Sequence, residues 1–268
     1  MKPILFEFRN FAVPSYLVML VGGICVLIWR STRAAERYSL PRYHVAVLLS
    51  VAYVAGLLGA RLLFVIEHHG VISNPWRAIL SPIPGGFASH GAFLLAIPVG
   101  LLYATWFRLP PQKLADSTVI GLCFFGALAR LGCFLAGCCY GHPTSLPWGV
   151  VFPQDSDPAV RWGFGVPIHP TQLYEAGYLV LIAGLLFLLE KRYQFAGEKF
   201  LWLVLAYSAA RFLNEFARGD SRVQIWSLTP PQWISLALLA LCLVVIESKE
   251  PTHIRCALGG NRPKGWSV

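Results

Sequence analysis

The chain has 268 residues, of which 56% are hydrophobic and only 13% charged, with a formal net charge of +9 and a mean hydropathy of +0.58. Soluble domains carry about 25% charged residues, so this composition excludes an ordinary soluble enzyme and indicates a polytopic membrane protein. The excess of positive charge does not point to nucleic acid, because the lysines and arginines follow the connections between apolar runs rather than one continuous stripe.

The N-terminal residues MKPILFEFRNFAVPSYLVML do not have the form of a cleaved signal peptide. Glu7 and Arg9 interrupt the apolar stretch and no small-residue cleavage site follows. The spacing predicts an amphipathic lead-in to a first span over 15–29. Six further apolar stretches follow at 44–66, 89–106, 117–136, 172–189, 200–217 and 232–246, each of roughly the length that crosses the hydrocarbon layer as a helix. The expected architecture is therefore an all-α polytopic membrane protein with about seven transmembrane helices, forming one domain over residues 1–268. No internal repeat or soluble-domain linker is visible. The two longest non-helical segments, 67–88 and 137–171, are rich in Gly, Pro and Trp and fall on the same side, where long shaped loops usually carry function. When connections are assigned alternately, 13 of the 22 lysines and arginines fall on the opposite side. The positive-inside rule makes that side cytoplasmic, with the N-terminus outside, the C-terminus inside and segments 67–88 and 137–171 as outer-face loops.

Three arginines lie within the expected spans: Arg61, Arg130 and Arg211. An arginine at mid-membrane costs about 2.5–3.5 kcal/mol even on the most lenient scale, so each needs compensation or a purpose. Arg61 lies near a span end and can be explained by snorkelling. On the sixth span, Tyr207, Arg211 and Glu215 recur every four residues and share one helical face, with Arg218 a turn further on. Such a face can be a buried ion pair holding two helices or the polar wall of a site for an amphiphilic ligand. His90 follows the paired glycines Gly85 and Gly86 in GGFASHG. Its ordinary pKa near 6.5 suits a general base, although a lone histidine beside a span is also commonly structural.

The seven cysteines are mostly placed in apolar helices, where they act as small hydrophobes, and an extracellular disulfide framework is not expected. Cys133, Cys138 and Cys139 crowd the string ARLGCFLAGCCYG. The spacing C-x4-C-C-x2-H, which ends at His142, is not a recognised closed zinc pattern, so no metal is expected. A local disulfide and plain packing beside Arg130 are the remaining readings.

Several segments in order, SYLVMLVGG, GLLGARL, GGFASHG, ARLGCFLAGCCYG, WGVVFP and HPTQLYEA, together with the Tyr207, Arg211, Glu215 ladder, resemble the prolipoprotein diacylglyceryl transferase family along most of the chain. The resemblance implies a bacterial inner-membrane enzyme that moves the diacylglyceryl group of phosphatidylglycerol to the lipobox cysteine thiol of a preprolipoprotein, without a cofactor. The implied partners are phosphatidylglycerol, the lipobox segment and the lipid bilayer, with no nucleic acid. Matching by motif implies catalytic roles for His90, Arg130 and Arg211. It implies substrate-binding roles for Tyr16, Gly85, Gly86, Gly132, Gly141, Tyr207, Glu215 and Arg218. Where the typical family signature has Asn and Glu, this chain has Cys133 and Cys138. A transporter and a non-catalytic lipid-binding protein on the same fold are the alternative readings, the first disfavoured by the absence of matching broken helices.

Overall fold

The structure, a computed structural model, describes residues 4–8, 11–69, 88–219 and 224–249. Among them, seven long helices follow the apolar runs of the sequence: α1 Ser15–Ala35, α2 Arg42–Glu67, α3 Ser89–Trp106, α4 Pro111–Ala136, α6 Thr171–Leu188, α7 Glu198–Glu215 and α8 Pro230–Lys249. A short helix, α5 Asp157–Trp162, lies between α4 and α6. Five of the long helices are long and apolar enough to cross a membrane by length and composition. The other two are α3, whose apolar part His90–Trp106 is shorter, and α7, which carries Glu198, Lys199, Arg211 and Glu215. Large apolar side chains such as Leu102, Leu181, Leu188 and Val244 point outward, as a bundle solvated by lipid requires. This is a multi-pass all-α membrane protein.

Three sequence expectations are corrected. The first helix does not end at residue 29; it continues to Ala35, because Arg30, Ser31, Thr32 and Arg33 are tolerated where the helix leaves the apolar layer. The N-terminal lead-in, for which the sequence suggested only an amphipathic character, is a β-hairpin, with β1 Ile4–Phe8 pairing antiparallel to β2 Phe11–Pro14. The run ILFEF is rich in aromatic and branched side chains that favour strands, and Pro14 supplies the extended residue from which α1 starts. The segment 137–171 is not wholly irregular. It contains α5, opened by Asp157 and Pro158 and closed by Gly163 at φ 98, and a small sheet in which β3 Val150–Val151 pairs antiparallel with β4 Pro167–Ile168. Of the other expected loop, residues 70–87 lie outside the described residues, and Gly85 and Gly86 with them.

Small residues set the helix packing, as is usual where lipid removes the hydrophobic drive between helices. α1 lies along α4, and a side chain at Gly132 would come 3.0 Å from the Tyr16 ring and 3.2 Å from Met19 Cβ. α2 carries α3 on its flank. Gly59 and Gly91 face each other there so closely that a Cβ on either would overlap the carbonyl oxygen of the other. α6 packs against α4 and α7, and α7 also packs against α8.

The end where α1 and α6 finish and α4 and α7 begin is tied by charge. Asp116 on α4 accepts the backbone N–H groups of Gly197 at 2.6 Å and Phe200 at 2.9 Å, capping the first turn of α7. Lys199, 1% exposed, donates to Glu190 at 2.8 Å. Arg37, from the 3-10 turn after α1, pairs with the same carboxylate. Burial pushes the Glu190 carboxyl up, but the Lys199 and Arg37 bonds outweigh it and hold the carboxyl below the usual carboxylate value.

Candidate functional site

At the other end of the bundle, where α4 and α7 finish and α6 begins, two buried carboxylates organise three arginines. Glu175, 1% exposed, belongs to the second turn of α6, facing α4 and α7. One of its oxygens forms an ion pair with Arg130 Nε at 3.0 Å and accepts the Tyr207 hydroxyl at 2.8 Å. The second carboxylate, Glu215, pairs with Arg211 at 2.5 Å, one helical turn before it, and lies 3.8 Å from Arg218 Nε. The Thr229 hydroxyl donates to the other Glu215 oxygen at 2.8 Å. The Tyr207, Arg211, Glu215 ladder is thus shared between two centres, with Tyr207 serving Glu175 and Arg211 serving Glu215. Three guanidinium groups against two carboxylates leave the cluster with a surplus positive charge, which favours an anion.

The arginines differ in access. Arg211 and Arg218 are buried at 8% and 5% exposure, whereas the Arg130 side chain is a quarter exposed. Arg130 is held by its Nε alone, and its two terminal amino groups donate to no acceptor among the described residues. A planar fork anchored on one nitrogen presents the others in the geometry that suits a phosphate. The start of α6 and the end of α7 also carry buried acceptors without a hydrogen-bond partner among the described residues: Glu175 Oε2, Gln172 Oε1 and Asn214 Oδ1. Unpaired buried acceptors are costly, and they match the hydroxyl donors of a polyol.

The backbone that holds these groups is stitched by the turn after α4. α4 ends at Gly137 in the left-handed region, φ 79, and the Cys138 N–H bonds back to the Cys133 carbonyl at 3.1 Å, the six-to-one bond of a Schellman cap. Gln172 donates to the Cys138 carbonyl at 2.6 Å and Thr171 to the Cys139 carbonyl at 2.8 Å, fastening the start of α6 to the turn. Gly141 pairs with Arg218 in an antiparallel bridge. A Cβ there would lie 2.5 Å from the Ala217 oxygen and 2.6 Å from His169. Gly141 therefore keeps the strand segment beside Arg218 closed, and Gly132 seats Tyr16. Hydrogen bonds from the Cys133 and Cys138 thiols, and then the Arg218 and Arg130 charges, pull the Cys139 thiol below its ordinary value, while contacts with the Cys133 and Cys139 thiols push Cys138 up.

The structure brings Arg130, Tyr207, Arg211, Glu215 and Arg218 together, with Gly132, Gly141 and Tyr16 against their backbone. It does not bring His90 to them. His90 is exposed on the first turn of α3, a helix that packs on α2, and no hydrogen bond or ion pair joins it to an arginine among the described residues. Arg61 is 8% exposed and lies under the Phe64 ring, so it is buried rather than snorkelling. The sequence reading missed Glu175, Gln172, Asn214 and Thr229. Glu175 stands inside an apolar run, and an ionisable residue within a span is itself a signal.

The chain has relatives of known name. The family model described as prolipoprotein diacylglyceryl transferase matches residues 3–247. The phosphatidylglycerol–prolipoprotein diacylglyceryl transferase of Clostridium tetani is 30% identical over 248 residues, which is 92% of this chain and 97% of the relative. Transferase 2 of Clostridium perfringens is 31% identical over 89% of this chain and 92% of its own length. The enzyme of Cupriavidus metallidurans is 28% identical over 91% and 92%. With a match of this extent, and the arginines of the motif gathered round buried glutamates, the chain belongs to the prolipoprotein diacylglyceryl transferase family.

Proposed function

We propose that this chain is a transferase that moves the diacylglyceryl group of phosphatidylglycerol to the lipobox cysteine thiol of a preprolipoprotein, in a bacterial inner membrane, with its N-terminus outside and residues 1–268 acting as one domain. The thiol sulfur forms a bond to the glyceryl carbon, the carbon–oxygen bond to phosphate breaks, and glycerol phosphate leaves with the bonding pair. The observation that carries the reading is the Arg130 fork, anchored by Nε on buried Glu175 with its terminal amino groups turned to no acceptor among the described residues.

Arg130 takes the phosphate, and its charge rises in value as the leaving phosphate gains charge in the transition state. Arg211 and Arg218 supply the background positive potential from the Glu215 centre. Glu175 and Tyr207 fix the orientation of Arg130. The unpaired acceptors on Gln172, Glu175 and Asn214 suit the hydroxyls of the glycerol headgroup. Tyr16, Gly132, Gly141 and Glu215 shape the pocket wall. His90 acts as the base for the acceptor thiol, brought to it at the exposed start of α3, with Gly85 and Gly86 beside it in sequence.

The test is transfer of radiolabelled diacylglyceryl from phosphatidylglycerol to a synthetic lipobox peptide by the purified protein in detergent, with release of glycerol phosphate followed in parallel. Labelled peptide together with glycerol phosphate is the expected result. Binding of phosphatidylglycerol with neither product sinks the transferase reading and leaves a lipid-binding protein.

A further inference from the structure

We infer that Cys133, Cys138 and Cys139 form a three-thiolate site for a thiophilic d10 metal ion, of which zinc(II) is the representative. Their three sulfurs all lie within 4.8 Å of one another. Three thiolates around one zinc ion, at Zn–S ~2.3 Å, stand ~3.8 Å apart in a tetrahedron and ~4.0 Å apart in a plane. The observed spread contracts to either value by small side-chain rotations, with no backbone movement across the bundle.

The linear spacing C-x4-C-C does not announce such a site, since neighbouring residues in an extended chain point apart. The local backbone alters that. Gly137, in the left-handed region, ends α4 and turns the chain so that Cys138 folds back over the last helical turn, with its sulfur 3.7 Å from the Cys133 carbonyl oxygen. Cys139 is itself left-handed, at φ 62, a conformation that costs a residue with a Cβ of order 1–3 kcal/mol and gathers at ligand clamps. The bonds from Gln172 and Thr171 to the carbonyls of Cys138 and Cys139 hold the turn in that shape from α6. The cluster is therefore fixed from two helices.

Charge and chemistry agree with the geometry. Three thiolates and a zinc(II) ion together carry one negative charge, and Arg130 and Arg218 both act electrostatically on this cluster, so a filled site is compensated by cations already present. Sulfur-only donors select soft ions such as zinc(II) and copper(I) over calcium or magnesium. Binding forms three metal–sulfur bonds and releases the thiol protons to solvent. Three protein ligands leave one position of a tetrahedral ion open to water or to another thiol, the arrangement typical of sites where zinc takes part in chemistry rather than only in folding. The inference stands on these residues alone and does not depend on the transfer reaction.

The experiment uses the full chain in detergent, reduced and freed of metal by a chelator. It is loaded with zinc sulfate, desalted, and analysed for zinc content by elemental mass spectrometry. We expect retention of about one zinc ion per chain. The substitutions C133S, C138S and C139S should each weaken binding on the order of 100-fold, the upper end of what loss of even an outer partner of a metal ligand costs, while C25S should leave it unchanged. Loading with cadmium should produce a thiolate-to-metal absorption band in the wild type and not in the triple serine variant. A second measurement needs no variant: bound zinc should protect Cys133, Cys138 and Cys139 from alkylation, read by peptide mass spectrometry, and leave the extent of alkylation at Cys25, outside the cluster, unchanged. No zinc retained by the reduced, folded chain overturns the proposal. So does zinc binding that survives in the triple variant, or alkylation of the three cysteines at the same rate with and without zinc.

Discussion

The two ends of the bundle both bury charge, but they spend it differently. Where α4 and α7 begin, Lys199 and Arg37 converge on Glu190, and both Asp116 oxygens are taken by backbone N–H groups. The groups there complete one another and link chain segments that would otherwise separate. Where α4 and α7 end, among the described residues, Arg130 keeps two amino groups without an acceptor, and Glu175, Gln172 and Asn214 each hold an unpaired buried oxygen. A saturated cluster makes structure, whereas an unsaturated one buried at similar depth is poised for a ligand. Burial alone does not distinguish them; the count of unmet partners does.

The sharpest way to break this contrast is Glu175→Ala. It strands the Arg130 guanidinium and the Tyr207 hydroxyl at once, and removal of one partner of a buried ion pair costs about 3–5 kcal/mol. Chemical unfolding in detergent should show that loss, and transfer activity should fall with it. Glu175→Gln keeps the shape and should recover a good part of the stability; equal damage from both would detach Glu175 from the positioning of Arg130.

Arg130→Lys comes next. An ammonium keeps the charge but not the fork, and loss of a charge-assisted hydrogen bond, about 1.5–3 kcal/mol, corresponds to a fall of roughly 10–150-fold in kcat/KM for phosphatidylglycerol. Unfolding should be little changed. Arg61→Lys, outside both clusters, should be milder, and an equal loss of activity in the two would sink the assignment of the phosphate to Arg130.

The opposite end should tolerate more. Changing both partners, Glu190→Gln with Lys199→Met, should alter stability by no more than about 1 kcal/mol, because exchange of a buried pair for groups of similar volume is often near neutral, and turnover should stay at the wild-type rate. A large loss of turnover would show that this end also serves the reaction.

The smallest effect is on pH dependence. The folded-state pKa of Glu190 is lowered, so its contribution is present above the unfolded carboxylate pKa, ~4.3, and is lost as pH falls through the lower folded value. Melting curves of wild type and Glu190→Gln should therefore differ near neutrality and converge as pH falls through the lowered folded-state value. A difference that grows on acidification would contradict the sign.

The seven helices were legible because each rests on one long apolar run, a signal contained within about 20 consecutive residues. The hairpin of β1 and β2 was not, since ILFEF and FAVP are too short for a period to declare itself and the pairing is between segments. The arginines of the site announced themselves by their cost in an apolar context, and the four-residue spacing placed Tyr207, Arg211 and Glu215 on one face. What periodicity does not contain is the neighbour that each face meets. Tyr207 and Arg211 divide between Glu175 and Glu215 because α6 lies beside one part of α7 and the start of α8 beside the other, a tertiary fact. The clustering of Cys133 with Cys138 and Cys139 escaped for a related reason, since it depends on two residues in the left-handed region.

The facing glycines of α2 and α3 carry a consequence for how the sequence can change. Each of Gly59 and Gly91 lies under the other's backbone, with Leu95 Cβ and Leu63 Cβ also within 2.7 Å of where a new methyl would sit. An alanine at either position must push the two helices apart, and once they are apart the second alanine meets little further resistance. The two replacements are therefore expected to be far from additive: the first bears nearly all the damage and the second is almost silent. No sequence of single steps leads from this pair to a bulkier one without passing through the loosened helix contact, so drift at these two positions is closed to the chain from either side.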